Sequence, residues 1–223
     1  MDSPFETILA PHRDILPPAL KAQYLTPVDA GRTVHFNGTS DRVWHRPRWL
    51  WPFFWALAWF DVIFPETGVN IPATMELTSA RDRYGLPYQR WNRVFAFARP
   101  RRFNAVMAWD VQRRCVAEHF TSMQLLSMVW EISFHAPARL EIVTSTCHIN
   151  LGPLQIPLQR FFHPHVRVVE TALDDETIHV DLTMSHPFLG DIFGYSGTYK
   201  VEVASAAGNS HPLDQYGSPT INH

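Results

Sequence analysis

Between Val69 and Thr78 the apolar residues Val69, Ile71, Ala73, Met75 and Leu77 alternate with Asn70, Thr74, Glu76 and Thr78. A period of two is the mark of a half-buried strand. The same alternation returns at residues 88–98, 102–111, 113–120, 124–135, 139–149, 165–173, 177–185 and 194–203, with short turns between most of these segments. Residues 33–45 predict a further strand or a hairpin, because Val34, Phe36 and Val43 flank the turn signal Asn37-Gly38. An open sheet of that many antiparallel strands tends to curl or close on itself. The predicted fold is therefore mainly β, within the α+β class: a strongly curved antiparallel sheet or partly open β-barrel of about nine or ten strands.

Helical patterning is confined to the first third of the chain. Ser3 before Pro4 reads as a helix N-cap, and Pro17-Pro18 opens a second short helix through Tyr24. Residues 46–68, "RPRWLWPFFWALAWFDVIFPETG", carry seven aromatic residues between Trp49 and Phe60. Proline is tolerated in a first helical turn, which predicts a helix from about Pro52 to Phe64, with Trp51, Trp55, Trp59 and Ile63 on one stripe and Phe53, Leu57, Phe60 and Phe64 on another. The predicted organisation is a single domain over 1–204: a helical cap (1–26), an aromatic helix (47–65) packed on the sheet, and the antiparallel sheet (69–203). A polar, turn-rich tail over 205–223 is expected to be disordered.

The aromatic segment is too short to span a bilayer, since a span needs roughly 20 apolar residues and Asp61 interrupts this run. Its seven rings nevertheless offer on the order of 1,000 Å² of surface, more than the roughly 300–600 Å² patch that a soluble monomer leaves exposed. Three readings stand open. The segment is core beneath the N-terminal helices, or a lid over an apolar pocket, or an interfacial contact with a membrane surface through residues 46–64.

Parity within the strands places polar groups on the apolar face. Arg93 shares its face with Trp91, Phe95 and Phe97; Glu118 shares its face with Val116 and Phe120, and Glu170 with Val166 and Val168. A guanidinium in a low-dielectric interior needs an anionic partner. Either these three residues form a structural ion pair or triad, or Arg93 binds a ligand carboxylate or phosphate while a buried glutamate serves as acid or base. Tyr195 can join either arrangement. The candidate ligand-binding set is Arg93, Trp91, Phe95, Trp55, Trp59, Trp109, Trp130 and Tyr195, and the candidate catalytic set is Glu118, Glu170 and Arg93.

Composition narrows the alternatives. A net charge of −2 with no basic run gives no footprint for nucleic acid. Eight Trp and fifteen Phe call for wide packing surfaces or an aromatic-lined cavity. Cys115 and Cys147 lack C-x-x-C spacing, and His119, His135, His148, His163 and His165 show no metal-ligand spacing, so neither metal nor cofactor is expected. There is no G-x-S-x-G elbow and no Gly-rich phosphate loop. The N-terminus lacks a basic start followed by an apolar run, which predicts a cytoplasmic location.

The elements "ILPPAL" (15–20), "WNRVF" (91–95), Glu118 after a strand, "GPLQIPLQRF" (152–161), Glu170 and "HPFLGDIFGYSGTY" (186–199) resemble, in order and spacing, the bacterial domain of unknown function 4166. The resemblance covers roughly residues 5–203; the W-x-R-x-F strand and the P-x-x-G-x-x-x-x-Y-x-G ending are its most specific parts. Members of that family occur alone or behind a saccharopine-dehydrogenase-like NAD(P)-binding domain, so the resemblance implies a stand-alone copy, and a separate oxidoreductase is one candidate partner beside an apolar or amphiphilic small molecule. It carries no catalytic assignment. The expected function is binding of a hydrophobic small molecule of lipid, fatty-acid or isoprenoid type between sheet and helix. The rivals are an enzyme performing acid/base isomerisation or cyclisation in the same cavity, and an accessory domain docking on an NAD(P)-dependent oxidoreductase.

Overall fold

The computed structural model describes residues 1–120, 123–151, 154–159 and 161–205. Eleven strands follow one another: β1 (Arg32–His45), β2 (Gly68–Arg81), β3 (Pro87–Phe95), β4 (Arg101–Asp110), β5 (Cys115–Phe120), β6 (Met123–His135), β7 (Arg139–Leu151), β8 (Leu154–Pro157), β9 (His165–Ala172), β10 (Thr177–His186) and β11 (Gly190–Ser205). Each strand from β1 to β7 pairs antiparallel with the next, the first residues of β7 pair with β9, and β9, β10 and β11 continue back to β1. The result is a closed antiparallel barrel of ten strands, with β8 paired along the last residues of β7. Closure leaves no long unpaired edge among the described residues.

Register shifts between Ser40 and Arg42, between Val129 and Trp130, and between Met184 and Ser185 mark bulges. Bulges increase local twist and let a sheet turn the corners of a barrel. Burial alternates strictly along β3, with Gln89, Trp91, Arg93 and Phe95 inside. Asn37-Gly38 does not turn the chain. Gly38 lies mid-strand, paired with Tyr199 on one side and Ala73 on the other, and a Cβ there would collide with the Thr198 carbonyl oxygen. Close approach of strands, rather than a hairpin, is the reason for that glycine.

The two ends of the barrel are stopped differently. At the end holding the start of β1 and the end of β2, helices α1 (Glu6–Leu9) and α2 (Pro18–Tyr24) form the cap, burying Phe5, Leu9, Leu20 and Tyr24. The Phe5 ring meets Tyr24 edge-on at 4.8 Å, and Tyr24 lies 5.8 Å from Trp91. The Ser3 hydroxyl accepts from the Phe5 N–H at 3.2 Å and donates to the Tyr24 carbonyl, tying the two helices together.

At the opposite end, the segment between β1 and β2 forms α3 (Trp51–Leu57) and a 3-10 turn (Ala58–Phe60). The helix is shorter than the pattern predicts. Asp61 adopts φ 53°, in the left-handed region, and the chain turns so that Val62, Ile63 and Phe64 drop into the core without being helical. Ile63 and Phe64 therefore belong to no helical stripe. Phe64 packs against Phe95 at 5.1 Å and against Phe193 at 5.5 Å. The tail expected to be disordered begins at Ser205, which instead ends β11, and residues 206–223 lie outside the described residues. Among the described residues no helix is long and apolar enough to cross a membrane.

Candidate functional site

Ten strands enclose more space than the side chains of a small barrel fill. A cavity of about 70 Å³ remains inside, bordered by Phe5 of the N-terminal cap at one end and by the strand residues Phe95 and Phe103 toward the other. Its wall is almost wholly apolar. Four methionines, Met75, Met107, Met128 and Met184, contribute to it, each on a different strand. The polar residues are Thr74, Arg93, Glu118, Glu170, Tyr195 and Tyr199.

Arg93 projects inward from β3, where register sets it between Met75 and Phe103. Its guanidinium carbon lies 4.9 Å from the Trp91 ring and 5.0 Å from the Phe103 ring, and Nη1 donates a long 3.4 Å hydrogen bond to the Phe103 carbonyl. Among the described residues no carboxylate comes within 4.0 Å of it. The charge is held by two aromatic faces in place of a salt bridge.

Glu170 has found other partners. Tyr24 donates to its Oε2 at 2.7 Å and Gln23 to its Oε1 at 3.0 Å, both from α2. Gln89 in turn donates to the Gln23 carbonyl at 3.2 Å. Burial raises the pKa of Glu170, while the Tyr24 and Gln23 hydrogen bonds and the charge of Arg93 act to lower it.

Glu118 is more isolated. It is buried, borders the cavity, and has no hydrogen bond among the described residues. Burial pushes its pKa up to about 7, opposed by Arg93 and by the indole N–H of Trp130. That N–H makes no hydrogen bond at bonding geometry, so its influence on Glu118 is that of a nearby dipole. Burial likewise raises Tyr195. Two carboxyls biased toward the neutral form and one guanidinium thus share a low-dielectric space without an ion pair between them. Such an arrangement can receive an anion at Arg93 and exchange a proton at Glu118.

Of the residues singled out by pattern, Arg93, Trp91, Phe95, Trp130, Tyr195, Glu118 and Glu170 meet around the cavity. Three do not reach it. Trp109 is buried in the core without bordering the cavity, whereas Trp55 and Trp59 stand on the outside, their rings 5.2 Å apart. Of α3 only Phe54 is buried, and the core at this end is filled by the following Ile63 and Phe64. Sequence reasoning missed Gln23 and Tyr24. The available signal was a pair of polar-tipped residues next to the apolar positions of an otherwise buried helix.

A closed ten-stranded antiparallel barrel with a capped, polar-centred interior defines the class. A family match over residues 16–199 then shows that the chain belongs to the family described as Domain of unknown function (DUF4166). It is also similar to YndH, described as an uncharacterized protein, of Bacillus subtilis (strain 168), with 25% identity over 145 residues that cover 64% of this chain and 71% of the relative. The specific ending of the family pattern has a structural reason. Gly190 turns β10 into β11 at φ 67°, and Gly197 lies where a Cβ would meet Ser40 Cα at 2.6 Å and Tyr199 Oη at 2.9 Å.

Proposed function

We propose that the barrel interior binds a hydrophobic small molecule, of lipid, fatty-acid or isoprenoid type, that carries an anionic head group. The observation that carries this reading is Arg93: a buried guanidinium facing a cavity, cradled by Trp91 and Phe103, with no carboxylate within 4.0 Å among the described residues. A head group would supply the missing charge-assisted hydrogen bonds.

The cavity of about 70 Å³ is small beside the roughly 300–1,000 Å³ of sites that hold drug-sized ligands. The four methionines bear on this difference. Their unbranched, flexible side chains re-pack readily, so an apolar tail gains room by displacing thioethers rather than backbone. Native mass spectrometry of the protein purified from its own host tests the proposal. A co-purifying acidic amphiphile supports it; an empty protein that takes up neither acidic nor neutral amphiphiles in titration overturns it.

The second reading, an acid/base isomerase or cyclase, rests on Glu118, which borders the same cavity without a hydrogen-bonding partner and has a pKa raised to about 7. Turnover of a bound ligand that is lost in Glu118→Gln while binding persists would favour it.

A further inference from the structure

The outer surface of the barrel end covered by α3 has no role in the interior site. Trp49, Trp51, Trp55, Trp59, Phe53 and Phe60 project there, each between 41% and 70% exposed. At 150–250 Å² per ring this leaves on the order of 650 Å² of aromatic surface in water, above the largest patch that a typical monomer shows. A second aromatic group lies at the same end. Phe188, in the turn between β10 and β11, stacks on Phe161 at 6.0 Å, with Phe162 exposed beside it in sequence. The two groups meet through the backbone, since the Arg46 N–H donates to the Ile192 carbonyl at 2.8 Å.

Charge distinguishes this end from the rest of the molecule. The exposed Arg46 and Arg48 flank the aromatic segment, and the β3–β4 connection at the same end adds the exposed Arg99 and Arg102. Against these four stand Asp61 and Asp191, while Arg101 and Glu66 neutralise each other. The end is thus positive by two, on a chain whose formal net charge is −2. An anionic surface attracts this end despite the negative charge of the whole chain.

We infer that this end of the barrel docks on an anionic phospholipid bilayer, with the Trp49–Phe60 rings inserted at headgroup depth and the four exposed arginines on lipid phosphates. Four of the six rings are indoles, which favour the membrane–water interface because an apolar body and an N–H donor are served there at once. Trp51, Phe53 and Trp55 project from the seven-residue helix, and Trp49, Trp59 and Phe60 from the turns on either side of it. A fluid phase can wrap such a knob. The insertion is peripheral, and it stands independently of whether the interior binds a ligand.

The test is flotation of the full chain with vesicles of phosphatidylcholine, with and without phosphatidylglycerol, at low and high salt. Tryptophan quenching by brominated lipid is read alongside. Binding is expected on the anionic vesicles, with quenching, and with weakening in high salt. Trp49→Ser with Trp59→Ser, and separately Arg46→Gln with Arg48→Gln, should each lower partitioning by about 10-fold or more while melting temperature holds, because these side chains are exposed. Absence of flotation overturns the inference, as does flotation that neither double variant weakens. Concentration-dependent dimers that the tryptophan variant dissolves, in a protein that ignores vesicles, would overturn it in favour of a second copy on this face.

Discussion

Tyr24 Oη donates a 2.7 Å hydrogen bond to Glu170 Oε2, fastening the helix that caps one end of the barrel to an interior carboxylate of β9. This contact decides how the interior charges are arranged. With Tyr24 and Gln23 both donating to it, Glu170 does not draw the Arg93 side chain into a salt bridge, and the guanidinium stays on its aromatic faces. The N-terminal cap is therefore part of the site's electrostatics as well as its closure.

Tyr24→Phe should cost about 1–3 kcal/mol, the usual penalty for leaving a buried acceptor short of a donor. The Tyr24 hydrogen bond favours the charged carboxylate, so its loss raises the Glu170 pKa further. The cost should accordingly grow with pH, being smallest where Glu170 is protonated with or without its partner. Urea titrations at acid and alkaline pH measure both effects; a cost that shrinks as pH rises would contradict the assignment.

Glu118→Gln isolates the other carboxylate. An unfolded-state value near 4.5 and a folded value of about 7 mean that, between these pH values, the native state holds a proton that the unfolded state has released. Stability from this group is therefore highest below 4.5, falls as pH rises to about 7, and is flat above, a loss on the order of 3 kcal/mol. Arg93, Cys147 and Tyr195 sense the same charge and stay in place in the variant. Wild type and Glu118→Gln should match near pH 4.5, and the variant should be the more stable by pH 8. Parallel stability curves would place the Glu118 proton elsewhere.

Much of the barrel was legible because strand parity survives any error in register. The alternation in β3 puts Trp91, Arg93 and Phe95 on one face whatever lies beside them, and the same holds for Glu118 in β5 and Glu170 in β9. Parity says which way a residue points, not whom it meets. That Glu170 is satisfied by Tyr24 and Gln23 depends on how a short helix seats across the barrel mouth, a contact across 146 residues of sequence that no local pattern encodes. How the aromatic helix seats was hidden for a different reason. A segment apolar on every side has no moment to reveal which face is buried, and the left-handed turn at Asp61 that separates exposed Trp59 from buried Phe64 leaves no periodic trace.

Trp55→Ala with Trp59→Ala should leave interior binding of an apolar fluorescent probe unchanged and lower stability by no more than about 1 kcal/mol, the value of one exposed ring pair. Phe54→Ala, one residue away but 1% exposed, should cost about 3–5 kcal/mol. Thermal denaturation of the two variants side by side separates surface from plug. Loss of probe uptake in the tryptophan variant, at unchanged stability, would favour a lid.

Arg93→Met separates a structural charge from a binding one. A guanidinium locked in a buried ion pair would be missed at about 3–5 kcal/mol, since its carboxylate partner would be left unmatched. Here the partners are the Trp91 and Phe103 rings and one long hydrogen bond to the Phe103 carbonyl. Losing two cation–π contacts is offset by ending the desolvation of a charge, and methionine fills similar space, so the ligand-free variant should stay within about 1 kcal/mol of wild type. Glu118 and Glu170, both held down by the charge of Arg93, should become harder to ionise in the variant. Affinity for a fatty acid or an acidic isoprenoid should fall by about 10-fold or more, while affinity for the corresponding alcohol is spared. Equal losses for acid and alcohol would mean that Arg93 shapes the cavity without reading the head group, and undiminished binding of both would remove it from the site.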